Sequence, residues 1–446
     1  MGGRSAQATR PWERRLGDLW LLLDRCHVTY MEPELFRLNT NQFLQCSRTV
    51  TFIIQKHKDS IPDFEAWYRP VVAGWGSDVV MDWAKNSRNK IEKEGDLELH
   101  SSLDLTLFSS YLVELDVTLA TGRNELLRAG TKKLIRFAQK NVPSNFLNST
   151  AIKIERRWIA NTLPEWELLH AFHYIYSTLH QMCAKLAAHL GSTIDSDIPD
   201  PTSLLAAREV ARQVQYVKLS DLRTHYQHTV RMPFDRDFKP PIEILALGRE
   251  LKSDFALASS PDQMLQFLSR MAETTFEHYG NHVPMFFLYD RDMKPVDFLT
   301  GAFGDQVDKY IFWRNLADRV VITKATAVAS IGEMWIRDIK DFYSVPMHKL
   351  PIVGERLFVN ILDSTGTFRS ANWEIIRAHE GAKPTLQRIP PSDALGDKVP
   401  FVYAPIIRAF GLQYPEHFQE MPPLPEHVQK RMDRKHLASS RGTDDS

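Results

Sequence analysis

The sequence predicts an α+β chain: a mainly helical N-terminal domain followed by a small mixed, mostly antiparallel α+β domain. Three observations carry this. Apolar residues recur at three- and four-residue spacing through most of the first 190 positions. Beyond about residue 280, short alternating runs flank turn-forming residues. Between the two lies RMPFDRDFKPPIEIL (231–245), whose proline pair discourages regular structure and marks a linker.

The first helix starts at Pro11, which a first turn tolerates, and sets Leu16, Leu19, Trp20 and Leu23 on one face. Pro33 opens a second, long helix faced by Phe36, Phe43, Val50 and Ile54 and ending near Lys56. An aromatic stretch over 64–75 leads into a helix over 77–93, which Gly95 terminates. Then the period changes: Val113, Leu115, Val117 and Leu119 alternate with Glu114, Asp116 and Thr118, predicting a half-buried strand. A strong helix is expected over 164–190, with Trp166, Leu169, Phe172, Leu179, Cys183 and Leu186 inward and Gly191 as its C-cap. A further helix reaches about Val217.

In the second domain, Ser260-Pro261-Asp262-Gln263 resembles a capping box, and Gly280 closes that helix. Runs over 283–289 and 295–299 flank Asp290 to Lys294 as a hairpin. Tyr310, Trp313, Ala317 and Val320 space out as a helix, and 327–336 reads as a strand. Runs over 357–362 and 367–376 flank Asp363-Ser364-Thr365-Gly366, the clearest hairpin in the chain. The expected organisation is therefore 1–230 helical, 231–245 linker, 246–380 α+β, and 381–446 a Pro-rich, partly ordered tail.

Composition narrows the function classes. Apolar residues make up 43% and charged residues 25% of 446, which excludes a wholly disordered or collagen-like chain. Basic and acidic residues balance at 55 each, so any footprint for a polyanion must be local. The longest apolar run near the start, Leu19 to Leu23, is far short of a bilayer crossing, and the first fifteen residues lack the apolar core of a signal peptide. Three scattered cysteines (Cys26, Cys46, Cys183) with no Cys-x-x-Cys argue against a disulfide framework or a cysteine zinc site. A cytoplasmic protein, free of membrane, is the expectation.

On the 77–93 helix, Val80, Ala84, Ser87 and Ile91 share a face, and Arg88 lies within about 40° of its centre at ~100° per residue. An arginine aimed at the packed side needs partners, so Arg88 marks either a site or a structural ion pair. The Arg88-Asn89 pair, late in a helix of a helical domain, resembles the HEPN superfamily of helical ribonucleases and nucleotide-binding modules. Its pattern is Arg, four to six residues, then His, commonly with a polar residue after the Arg. The resemblance implies that Arg88, with Asn89 beside it, holds a phosphate while a histidine serves as acid or base for attack by an RNA 2′-hydroxyl. The positions due for that histidine hold Lys93, Glu94 and Gly95, so His100 or a histidine from a second copy must substitute. The surrounding block, with FRLNTNQFLQ and FEAWY upstream, is also similar over about 25–190 to bacterial proteins that carry no established activity. The plainer alternative pairs Arg88 with Glu92, four residues on.

The most lopsided charge falls over 128–157, where Arg128, Lys132, Lys133, Arg136, Lys140, Lys153, Arg156 and Arg157 face one acid, Glu155. Lys132, Lys133, Arg136, Lys140, Arg156 and Arg157 are candidates to follow a phosphate backbone, with Phe137, Phe146 and Trp158 near for stacking. A solvated surface is the alternative. Glu167 and His170 have the Glu-x-x-His spacing of di-iron bundles, but no second such pair occurs on a comparable helix. Cys183 falls on the apolar stripe with His173 beside it, so core packing or polar surface accounts for most of this helix's histidines, His180 included, and its cysteine. Glu333 either faces outward or joins Asp290 and Asp292 as a Mg²⁺ cluster. Phosphate-loop, dinucleotide and serine-hydrolase motifs are absent.

The functional expectation is a bacterial RNA- or nucleotide-engaging protein of degenerate ribonuclease or defence- and toxin-effector type. Any chemistry would be metal-independent endoribonuclease chemistry, without cofactor. A reading from another class is a non-catalytic scaffold or regulatory protein, whose 10 tryptophans and 24 phenylalanines present a surface to a protein partner or a second copy.

Overall fold

The structure, a computed structural model, describes residues 10–122, 124–201, 213–220, 258–338, 349–378, 383–390 and 398–415, with a few positions between 242 and 249. It divides into two compact units: Met1–Ser109 with Leu115–Gln227, and Ser110–Glu114 with His228–Ser446. The fold class is α+β. Almost all of the 231–245 linker, and the chain's end from residue 416, lie outside the described residues.

The first unit opens with α1 (Pro11–Val28), α2 (Pro33–Lys56), α3 (Phe64–Val72) and α4 (Val79–Lys93). The two prolines sit at first-turn positions, and Asp78 caps α4 by accepting from the backbone N–H groups of Val80 and Met81. These helices pack with α7 (Leu168–His189) around Leu16, Phe36, Phe43, Phe172 and Leu179. Cys26, Cys46 and Cys183, on α1, α2 and α7, are free and buried.

A five-stranded antiparallel sheet accompanies the helices, and here the structure departs from the expected elements. It contains β1 (Leu99–Phe108), β2 (Val117–Leu119), β3 (Ala151–Ala160), β4 (Leu163–Glu167) and β5 (Gln213–Lys218). The order is β2-β1-β3-β4, and β5 pairs with the first half of β3. The alternation expected over 113–119 yields only β2, because Val113–Leu115 turns into a 3-10 helix. The helix expected from Pro164 starts at Leu168, since β4 occupies the preceding residues. The end of the helix expected to reach Val217 is β5, whose Tyr216 and Val217 are buried. Two short helices, α5 (Asn124–Leu127) and α6 (Thr131–Lys140), lie between β2 and β3. They cover the sheet with Leu126, Leu134, Ile135 and Ala138 against Leu105, Ile152 and Ile154.

The second unit holds α8 (Pro261–Tyr279), β6 (Met285–Tyr289), β7 (Pro295–Thr300), α9 (Gln306–Thr323), β8 (Ala327–Arg337), β9 (Ile352–Asp363), β10 (Phe368–Ile376), β11 (Thr385–Ile389) and α10 (Ala404–Ala409). The strands form an antiparallel sheet ordered β11-β10-β9-β8-β6-β7. Both expected hairpins are present as β6–β7 and β9–β10. At the second, Asp363 accepts from the N–H groups of Thr365 and Thr367 and closes the turn. The α8 helix buries Met264, Leu268 and Phe276 with Val359 and Trp373 in one core; α9 buries Phe312, Trp313 and Leu316 with Leu288 and Ile406 in another. Residues expected as a Pro-rich tail include β11 and α10, the latter anchored by Ile406 and Ile407.

Candidate functional site

Arg88 sits near the end of α4 with its side chain 23% exposed, and its guanidinium is engaged on three sides. It pairs with Glu92 at 2.8 Å, donates to Asn89 Oδ1 at 3.0 Å, and lies 5.5 Å from the centre of the Phe52 ring. The Asn89 side-chain oxygen thus accepts from Arg88. His100 lies on β1, exposed, with Nδ1 2.8 Å from Asn161 Oδ1 in the β3–β4 turn. Among the described residues no hydrogen bond or ion pair joins His100 to Arg88. A cleft of about 490 Å³ runs along the same helix past Asp78, Asp82, Asn86 and Lys90, and neither Arg88 nor Asn89 lines it.

The basic segment divides by burial. On α6, Thr131, Leu134, Ile135 and Ala138 face the sheet, so the 3.6-residue period turns Lys132, Lys133, Arg136 and Lys140 to solvent. The helix contains no acid; Glu125 on α5 approaches Lys133 at 4.0 Å. Phe146 is exposed nearby in sequence, whereas Phe137 packs into the core under α6.

Arg156 is a correction to the expected nucleic-acid surface. The strand period of two sends it inward with Ile152, Ile154 and Trp158, and it is fully buried. Its guanidinium donates to the carbonyls of Leu127 (2.7 Å) and Ala129 (2.6 Å), tying the α5–α6 connection to β3. Burial pushes its pKa down to about 10, while Tyr30 and Glu32 nearby favour the charge. Arg157, on the alternate face, is half-buried.

A buried polar centre went unpredicted as such. Tyr30 donates to Glu167 Oε1 at 2.6 Å and accepts from the backbone N–H of Trp158 at 3.1 Å. Glu167 also caps α7 by accepting from the His170 N–H. Burial raises the Glu167 carboxyl to about 7, although the Tyr30, His170 and Leu169 hydrogen bonds and Arg157 all favour its ionised form. His27 and His173 face each other across α1 and α7, Nε2 to Nε2 at 2.8 Å, so one ring must present a lone pair to the other's N–H. No group of three or more metal-ligating side chains occurs among the described residues. The sequence carried little signal for this cap: Ser, Thr, Asp and Asn are the usual N-cap residues, and the bond from the His170 backbone N–H does not depend on the histidine side chain.

Glu333 accepts the backbone N–H of His282, and burial raises its pKa, though that hydrogen bond and Arg377 oppose the shift. Asp290 instead shapes the β6–β7 turn by accepting from the N–H groups of Asp292 and Lys294. Since β6 pairs Tyr289 with Ala327 and Met285 with Ile331, Glu333 and Asp290 sit at opposite ends of the sheet. They form no joint cation cluster.

Residues 7–227 and 245–423 match the family model of bacteriophage lambda protein ea47. Protein ea47 of Escherichia phage lambda is 41% identical over 409 residues, covering 90% of this chain and 97% of that protein. No solved structure matches. This match, running through both units, overturns the HEPN resemblance: the Arg-Asn pair that suggested it is a helix-surface ion-pair arrangement in a different family.

Proposed function

The chain belongs to the family of bacteriophage lambda protein ea47, and from that premise we propose that it is a phage-family accessory protein that engages the phosphate backbone of RNA without cutting it. The observation supporting this reading is the outer face of α6, where four cations project from a helix without an acid. Such a face binds by releasing counterions, so it recognises backbone charge rather than base sequence. The reading includes no cutting because Arg88 and His100 each have a partner of their own, Glu92 and Asn161, and share no hydrogen bond among the described residues.

Four phosphate contacts imply a log–log salt slope of about −3 for single strands. Fluorescence anisotropy with a labelled mixed-sequence RNA at about 50 and 200 mM salt reads that slope directly. The double substitution Lys132→Glu with Arg136→Glu should weaken binding and flatten the slope, with the melting temperature unchanged because both side chains are exposed. Binding that ignores salt, or survives the double substitution, would sink the reading.

A second reading is supported by one different surface. On the second unit, Trp335 (62% exposed), Ile352 and Val353 stand at the far ends of β8 and β9, an apolar set suited to a protein partner. A complex formed there would be nearly indifferent to salt.

A further inference from the structure

The second unit contains a short segment that is remote from the rest of it in sequence. Ser110–Glu114 is held there by side chains from α9 and from the C-terminal stretch 401–414. Along α9, residues 306, 310 and 314 repeat at four-residue spacing and therefore share one helix face. Gln306 donates to the Tyr111 hydroxyl at 3.0 Å, and Tyr310 meets the Tyr111 ring edge-on at 4.7 Å. The buried Arg314 donates to the carbonyls of Ser110 (3.1 Å) and Leu112 (3.5 Å). From the C-terminal side, Phe401 packs on Tyr111 at 5.5 Å. Arg408 donates to Glu114 Oε1 at 2.6 Å and Tyr414 to Oε2 at 2.5 Å.

This arrangement has the parts of a peptide-recognition site: an aromatic anchor in a pocket, a cation reading main-chain carbonyls, and a cation–phenol clamp on a carboxylate three residues on. We infer that the second unit carries a recognition slot for a Tyr-x-x-Glu segment, filled in the single chain by its own Ser110–Glu114, and that the slot accepts the same segment from a second copy of the chain. Exchange between copies remakes every contact made within one chain, so only linker geometry and association entropy distinguish the two arrangements. The closed form is favoured at low concentration, because a tethered segment competes at an effective concentration on the order of millimolar.

The probe is a fluorescein-labelled peptide of residues 108–116, titrated into the full-length protein and into the Tyr111→Ala/Glu114→Ala variant, whose own segment is disabled. The variant is expected to bind the peptide on the order of a hundredfold more tightly than wild type, the factor by which a tethered competitor is removed. Adding Arg408→Glu should abolish the gain. If the double variant does not fold, Glu114→Ala alone is used, with hydrogen exchange over 110–114 as the readout. Faster exchange with peptide supports the slot, and unchanged exchange overturns it. No peptide binding by a folded double variant likewise overturns it. Light scattering of the wild type over a concentration series tests the occupant. A dimer that excess peptide dissociates supports exchange between copies. Peptide binding by a chain that stays monomeric throughout overturns the second copy as occupant and leaves a foreign Tyr-x-x-Glu segment.

Discussion

Single side chains separate site from scaffold most sharply at three positions. Arg88 gains from one i,i+4 ion pair and one partly exposed ring, so Arg88→Ala should lower stability by about 1 kcal/mol or less and leave RNA binding intact. A chemical-denaturation midpoint and the anisotropy titration check both halves. Arg156→Ala belongs to another class. It orphans the carbonyls of Leu127 and Ala129 inside the core and leaves a cavity, a loss on the order of 4 kcal/mol, visible as a large drop in urea midpoint. Glu167 makes stability depend on pH. Its folded pKa of about 7 lies above its ordinary value near 4.5, so its contribution is complete below the ordinary value and is lost as pH rises through 7. About 3 kcal/mol is at stake across that window. Melting temperature should therefore fall between pH 5 and pH 8, and Glu167→Gln should flatten the decline; an equally steep decline in that variant would assign it to other groups.

Elements with a clear period and clear punctuation were legible in the sequence; those whose period carried a functional-looking charge were not. Pro11, Pro33 and Ser260 start helices because each satisfies a first-turn requirement locally, and Gly280 ends α8 at φ +72°. That backbone disfavours a Cβ, and Pro384 lies 3.3 Å from where one would stand. Gly280→Ala should cost about 1 kcal/mol in thermal denaturation. By contrast, β3 was hidden because its inward alternation of Ile152, Ile154 and Trp158 is interrupted by Arg156, which reads as a surface cation until the carbonyls it serves are seen. β4 was hidden because Leu163 and Trp166 continue the apolar spacing of α7. The candidate site divided by distance along the chain: the Arg88–Glu92 pair follows from four-residue spacing within α4, whereas Phe52 beside Arg88 and Asn161 beside His100 lie on other segments that no local pattern reveals.

At the scale of the molecule, the expected α+β class holds, while the helical first unit contains a sheet that composition did not announce. The second unit is continuous in space but not in sequence, since Tyr111 belongs to its core. A fragment of residues 228–446 therefore lacks a core aromatic and the groups that Arg314 and Arg408 bind. It should unfold at lower urea than the same fragment supplied with the 108–116 peptide, and identical midpoints would show the segment to be dispensable.

The pairing of β5 with β3 also imposes an order in time. When the ribosome has made β1 and β3, the edge of β3 from Ala151 to Arg156 still awaits Gln213–Lys218. At about 5–20 residues per second the interval lasts several seconds. Throughout it a row of unpaired amides and carbonyls lies open beside Ile152 and Ile154, a template on which any other nascent strand can grow. Chains terminated before residue 213 would keep that edge indefinitely, so premature termination there is a route to aggregation rather than to a smaller working protein.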